Sequence, residues 1–236
     1  MGAIAKRLVR LIVGLFLYAI GIVLTLKAHI GYSPWDVFHV GLSQVVGMSI
    51  GLASILTGLA IVITAAFLGE RVGLGTILNM VLIGLFLDLI LALDVIPQAA
   101  SPVLGLAMMV AGLLVISLAS FFYIGSGFGA GPRDSLMVAI TRKTRIPIGL
   151  ARAGIELFAV FVGWRMGGLV GFGTLFFALT IGLGMQLTFK LLRFDPASIE
   201  HESLMATWNN VRASDALREL SFTPGLFSII RICLWI

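Results

Sequence analysis

The chain has 236 residues, 59% of them hydrophobic and only 11% charged, with a formal net charge of +5; its mean hydropathy is +1.10. Soluble domains carry about 25% charged residues, so this composition excludes an ordinary water-soluble globule and predicts an integral membrane protein lying in a lipid bilayer. The positive charge gathers in clusters, at Lys6, Arg7 and Arg10, at Arg142, Lys143 and Arg145, and at Lys190 and Arg193, which marks a cytoplasmic membrane face and not a nucleic-acid surface.

The first apolar run, at 9–28, is flanked by basic residues like a signal peptide. It is about twenty residues long and lacks a convincing cleavage site, so it reads as a retained membrane helix. A shorter apolar piece at 34–47 follows the motif Gly31-Tyr-Ser-Pro-Trp-Asp36. At about 1.5 Å per residue it reaches roughly 20 Å, short of a hydrocarbon core of about 30 Å, and it is predicted to be a half-helix. Spanning stretches at 50–69 and 75–94 come next, the latter opened by Gly73-Leu-Gly-Thr76. Another span covers 102–122, and a second half-helix at 132–142 follows Gly129-Ala-Gly-Pro-Arg-Asp134. Spans at 149–168 and 173–191 complete the apolar part, the last opened by Gly171-Phe-Gly-Thr174. The segment 194–236 is a polar tail. A stripe of Ile199, Leu204, Trp208, Val211 and Leu217 suggests a short amphipathic helix within it, and the closing apolar stretch at 226–236 is too short to span.

The second half of this pattern copies the first. Residues 31–88 and 129–186 align without a gap at a constant offset of 98, and the recurrences fall on Gly, Pro, Asp and Thr more than on interchangeable apolar residues. The expected architecture is therefore an all-α, polytopic transmembrane helix bundle of two repeats, 1–98 and 99–193. Each repeat has three spanning helices and one half-helix. An odd number of crossings inverts the second repeat relative to the first. With the N-terminus inside, Arg71, the 142–145 cluster and Lys190/Arg193 all fall on the inner side, with Lys27 and Arg165 as exceptions. Eight crossings in two parallel units is the alternative, and the shortness of the two extra segments argues against it.

The candidate site rests on the duplicated helix starts. Ser33 and Gly131 suit N-caps, Pro34 and Pro132 the first helical position, and Asp36 and Asp134 the third, where a carboxylate meets free backbone N–H groups. Half-helices entering from opposite sides would aim both positive N-termini at one central point, a place for an anionic or polar small solute. Trp35 in one copy is Arg133 in the other, and His39 lies one turn beyond the first start. Polar residues within apolar runs point to coupling or structural roles: Asp88 with its counterpart Gln186, and Arg152 with Glu156 one turn later. The Gly-x-Gly-Thr turns lack the strand and acidic partner of a dinucleotide site. The histidines show no metal spacing, and the single cysteine, Cys233, gives neither a disulfide nor a Cys-based metal site. No enzyme activity, cofactor or metal is expected.

At these motifs the chain resembles the YczE/YyaS/YitT-type family of small bacterial inner-membrane proteins. The residues that carry the resemblance are Gly31-Tyr-Ser-Pro-Trp-Asp36, Gly129-Ala-Gly-Pro-Arg-Asp-Ser135 and the turn at 171–174, and it covers about 8–193. It implies a multi-pass protein of the bacterial cytoplasmic membrane, and members of the family look transporter-like; the charge pattern puts both termini on the cytoplasmic side. The expected function is a carrier or channel for a small solute. The competing expectation is an accessory or scaffold protein whose tail docks a partner.

Overall fold

The computed structural model describes residues 3–70, 72–199 and 201–208. Its helices, in chain order, are α1 (Ala3–Lys27), α2 (Pro34–Val46), α3 (Ile50–Phe67), α4 (Leu74–Leu93), α5 (Pro102–Ile124), α6 (Pro132–Thr144), α7 (Ile148–Arg165) and α8 (Phe172–Leu191). Among the described residues there is no strand. The two short apolar segments form helices of 13 residues each, about 20 Å long at the α-helical rise. Five helices, α1, α3, α4, α5 and α8, are long and apolar enough to cross a membrane. The sixth expected crossing, α7, has 18 residues but carries Arg152, Glu156 and Arg165, and it falls outside that set. In the tail, residues 204–208 form a helical turn. Val211, Leu217 and the apolar stretch at 226–236 lie outside the described residues, as do Arg71 and Cys233.

The helix ends follow from local chemistry. Ser33 caps α2, its Oγ accepting from the Asp36 N–H at 3.4 Å, with Pro34 at the first position. Ser49 caps α3 and Ser101 caps α5 in the same way. At α4 and α8 the capping residue is a glycine, and the threonine three residues on reaches back: Thr76 accepts from the Gly73 N–H and Thr174 from the Gly171 N–H, each at 3.2 Å.

The outer surface is apolar. Leu175, Leu179, Leu183 and Leu187 form an exposed row along α8, and Leu85, Leu89 and Leu93 do so on α4. Such a surface would aggregate in water, and a bilayer is the solvent that suits it. The interior holds small and hydroxyl-bearing residues. Thr25, Ser117 and Ser120 are fully buried, and each donates its hydroxyl to a backbone carbonyl three or four residues back.

At the centre, α1 and α5 run antiparallel along their whole contact. A Cβ at Gly14 would meet the Ala119 carbonyl and Tyr123 N, one at Gly21 the Gly112 carbonyl, and one at Gly105 the Ala28 carbonyl. Small residues let the two backbones approach this closely. Around the pair, α4 packs on α1 and α8 on α5, while α2 packs on α7 and α6 on α3. Among the hydrogen bonds that tie the halves together, two form a matched backbone pair. The Gly75 N–H donates to the Phe128 carbonyl at 2.7 Å, and the Gly173 N–H to the Ile30 carbonyl at 2.8 Å. Each is the other's counterpart at the offset of 98. Gly31 (φ +113°) and Gly129 (φ +125°) sit at these crossings, where a side chain would strike the backbone at Gly171 or Gly73.

Candidate functional site

The starts of α2 and α6 meet at one cavity of about 220 Å³. Ser33, Pro34, Trp35, Asp36 and His39 line it from α2, and Gly131, Pro132, Arg133 and Asp134 from α6. The Arg133 guanidinium lies over the Trp35 ring, 4.7 Å from its centroid, a cation–π contact that joins the two motifs directly. Arg152 and Glu156 of α7 also reach the cavity, bonded to each other at 2.9 Å. All but three of the lining residues fall into pairs 98 positions apart; Ile61, Tyr123 and Met185 are the exceptions. The pairs include Ser33 with Gly131, Trp35 with Arg133, His39 with Met137, Ser54 with Arg152, and Gly58 with Glu156.

The two walls differ in chemistry. Asp36 is buried and held: the Ser33 hydroxyl donates to it at 2.5 Å, and His39 Nδ1 lies 3.6 Å from its other oxygen. At the equivalent places around Asp134 stand Gly131, which has no side chain, and Met137, which offers no N–H. Among the described residues the Asp134 carboxylate and the Arg133 guanidinium make no hydrogen bond, and neither joins an ion pair within 4.0 Å. Both retain accessible surface, and both line the cavity. One wall is thus closed and aromatic. The other offers a cation and an anion side by side, each with bonding capacity to spare.

Two flagged residues lie elsewhere. The Asp88 carboxylate accepts from the Gly51 N–H at 2.7 Å and from the Ser49 hydroxyl at 2.5 Å, at the N-terminus of α3. Gln186 is exposed on α8. Sequence reasoning also missed lining residues. Tyr18 and Ser120 are hydrogen-bonded at 2.5 Å, Tyr123 donates to the Gly129 carbonyl at 3.1 Å, and Ser54, Thr57 and Asn79 face the cavity from α3 and α4. Two signals were available: Ser54 is the counterpart of Arg152, and Asn79 is an amide inside an apolar run.

An apolar groove of about 550 Å³ adjoins the cavity and shares Trp35, Thr57, Ile61 and Ile155 with it. At the N-terminal end of α1 the tail packs back on the bundle. Glu202 pairs with Arg7 at 2.7 Å, its N–H donates to the Gly127 carbonyl, and the Leu204 N–H donates to the Val72 carbonyl. Burial holds the His201 imidazole below its usual range, opposed by the negative charge of Asp134.

The model of a family of unknown function (DUF6198) matches residues 5–190. The chain belongs to this family. It is 39% identical over 190 residues to the uncharacterized membrane protein YczE of Bacillus subtilis (strain 168), covering 79% of this chain and 84% of that protein. An uncharacterized protein of Haemophilus influenzae (strain ATCC 51907 / DSM 11121 / KW20 / Rd) is 31% identical over 182 residues, covering 77% and 83% respectively. The uncharacterized protein YyaS of Bacillus subtilis (strain 168) is 29% identical over 178 residues, covering 74% and 87%. No solved structure matches. The resemblance to the YczE and YyaS proteins read from the motifs thus holds at the level of the family, and the protein is a multi-pass membrane protein.

Proposed function

We propose that this protein is a carrier for a small polar solute in the bacterial cytoplasmic membrane, built from two inverted repeats of three crossings and a half-helix each. One observation carries the reading: the cavity is lined by equivalent positions of the two halves, with the two half-helix starts facing each other across it. Two inverted copies would place a site in this way, on the axis that relates them. The antiparallel α1–α5 pair and the reciprocal bonds at Gly75 and Gly173 support the inversion. In this reading α7 is the sixth crossing, its Arg152–Glu156 pair facing the cavity and not lipid. The basic clusters favour an orientation with both termini in the cytoplasm. No catalytic step is assigned to the site.

The uncommitted Arg133 and Asp134 select the cargo. A guanidinium beside Trp35 receives a carboxylate or phosphate oxygen, and Asp134 receives a hydrogen-bond donor or an ammonium. The scaffold alternative is weaker because tail residues 202 and 204 are already bonded to Arg7, Gly127 and Val72. The test is equilibrium binding and uptake of a panel of small anionic, zwitterionic and neutral solutes by the reconstituted full chain. Solutes that bind the parent and fail to bind Arg133→Ala or Asp134→Asn establish the site; a parent that binds none of the panel removes the reading.

A further inference from the structure

The two halves are equivalent in sequence and unequal in packing. A Cβ added at Gly51 of α3 would lie 2.1 Å from the Gly84 carbonyl oxygen of α4, and one at Gly84 would lie 2.6 Å from the Gly51 carbonyl oxygen. These two backbones are in full contact. Their counterparts at the offset of 98 are Gly149 of α7 and Gly182 of α8, and a Cβ at either meets nothing within 4 Å. The same contrast holds for the polar residues beside them. Asp88 clasps Ser49 and the Gly51 N–H, whereas its counterpart Gln186 is exposed, and Pro147 stands where Ser49 would be. Likewise α3 packs along α4, and α7 has no comparable contact with α8.

A helix pair that carries matched glycines without using them is explained if it uses them in another state. We propose that α3–α4 is the closed one of two gates, that α7–α8 is its open counterpart, and that the protein exchanges the two arrangements, with Asp88 as the latch. The inference rests on the carrier reading above and adds its moving parts. The closed gate lies where α3 begins and α4 ends. The open gate lies beside the basic cluster Arg142-Lys143-Thr-Arg145, so this structure is the state open toward that face. In the exchanged state Gly149 and Gly182 interlock, Gln186 reaches the start of α7, and the Asp88 clasp is broken. A carboxylate clasp on one side and a neutral amide on the other biases the resting protein toward the state seen here, since a hydrogen bond to a charged group is the stronger of the two.

Two cysteine pairs test this in the full chain with Cys233→Ser as background, reconstituted in lipid. Ser49→Cys with Asp88→Cys reports the α3–α4 gate, and Pro147→Cys with Gln186→Cys reports its counterpart. Both pairs are expected to cross-link under mild oxidation, the second more slowly. A readout that leaves the reporters intact uses single changes: Asp88→Ala should raise modification by a thiol reagent at Ala53→Cys, on α3 near the closed gate, by about tenfold, the equivalent of one charge-assisted hydrogen bond. Gln186→Asp, which gives the open gate its own carboxylate, should raise it in the same direction without removing any contact. If the 147/186 pair never cross-links, the asymmetry is a fixed feature and the gate proposal fails. If both pairs cross-link and neither Asp88→Ala nor Gln186→Asp changes the labelling, the latch assignment fails. Either outcome is separate from solute binding at Arg133, which tests the carrier reading by itself.

Discussion

Asp36 and Asp134 occupy the same position in two copies of one motif and are set to different tasks by their neighbours. Asp36 is enclosed with Ser33 and His39, so Asp36→Ala leaves the buried Ser33 hydroxyl and His39 imidazole without their shared partner. The expected loss is about 1–3 kcal/mol of stability, read as a lower thermal midpoint in detergent. Asp134 has no such partners among the described residues, so Asp134→Ala should leave the midpoint nearly unchanged while solute binding falls. Arg133→Ala should weaken binding of an anionic group by about tenfold or more, and Arg133→Lys should restore part of it, because an ammonium keeps the charge and loses the bidentate fork. Titration calorimetry on the three variants separates these effects. The identity of these residues was legible because cap positions and Pro-x-Asp spacing are local. Tyr18 and Ser120 were not, since a hydroxyl inside an apolar run faces a cavity or a neighbouring carbonyl according to how its helix is rotated.

Among the elements, the antiparallel α1–α5 pair has little room for added bulk. A Cβ at Gly21 would fall 2.6 Å from Ile116 Cγ1 and 2.9 Å from the Gly112 carbonyl. Gly21→Leu should therefore separate the pair and cost about 2 kcal/mol or more, seen as a lower midpoint or an aggregated size-exclusion profile. Gly154 on α7 is the control: a Cβ there meets nothing within 4 Å, and Gly154→Ala should match or slightly exceed the parent because alanine favours the helix. The two short helices were legible from segment length, and both begin at the expected prolines. The status of α7 was harder to read, because Arg152 and Glu156 make it too polar to stand in lipid by composition, and only its packing turns them toward the cavity.

For the whole molecule, inversion makes one sharp prediction. In the Cys233→Ser background, Tyr32→Cys and Ala130→Cys should be reached by a membrane-impermeant thiol reagent from opposite faces of the membrane, and labelling from the same face would favour parallel units. The sequence by itself determined the helices, their caps, the two short segments and the doubling, because each depends on contacts within a few residues or on composition against a bilayer of known thickness. It also placed the chain in its family through motifs that survive as short strings. Only the tertiary structure decided which polar residues share a cavity, that Asp88 clasps α3 instead of facing that cavity, and that equivalent glycines are interlocked in one half and apart in the other. These are distances between helices. Two segments that share their glycine positions carry no record of which pair is packed and which is apart, since that contrast rests on contacts between helices distant in the chain.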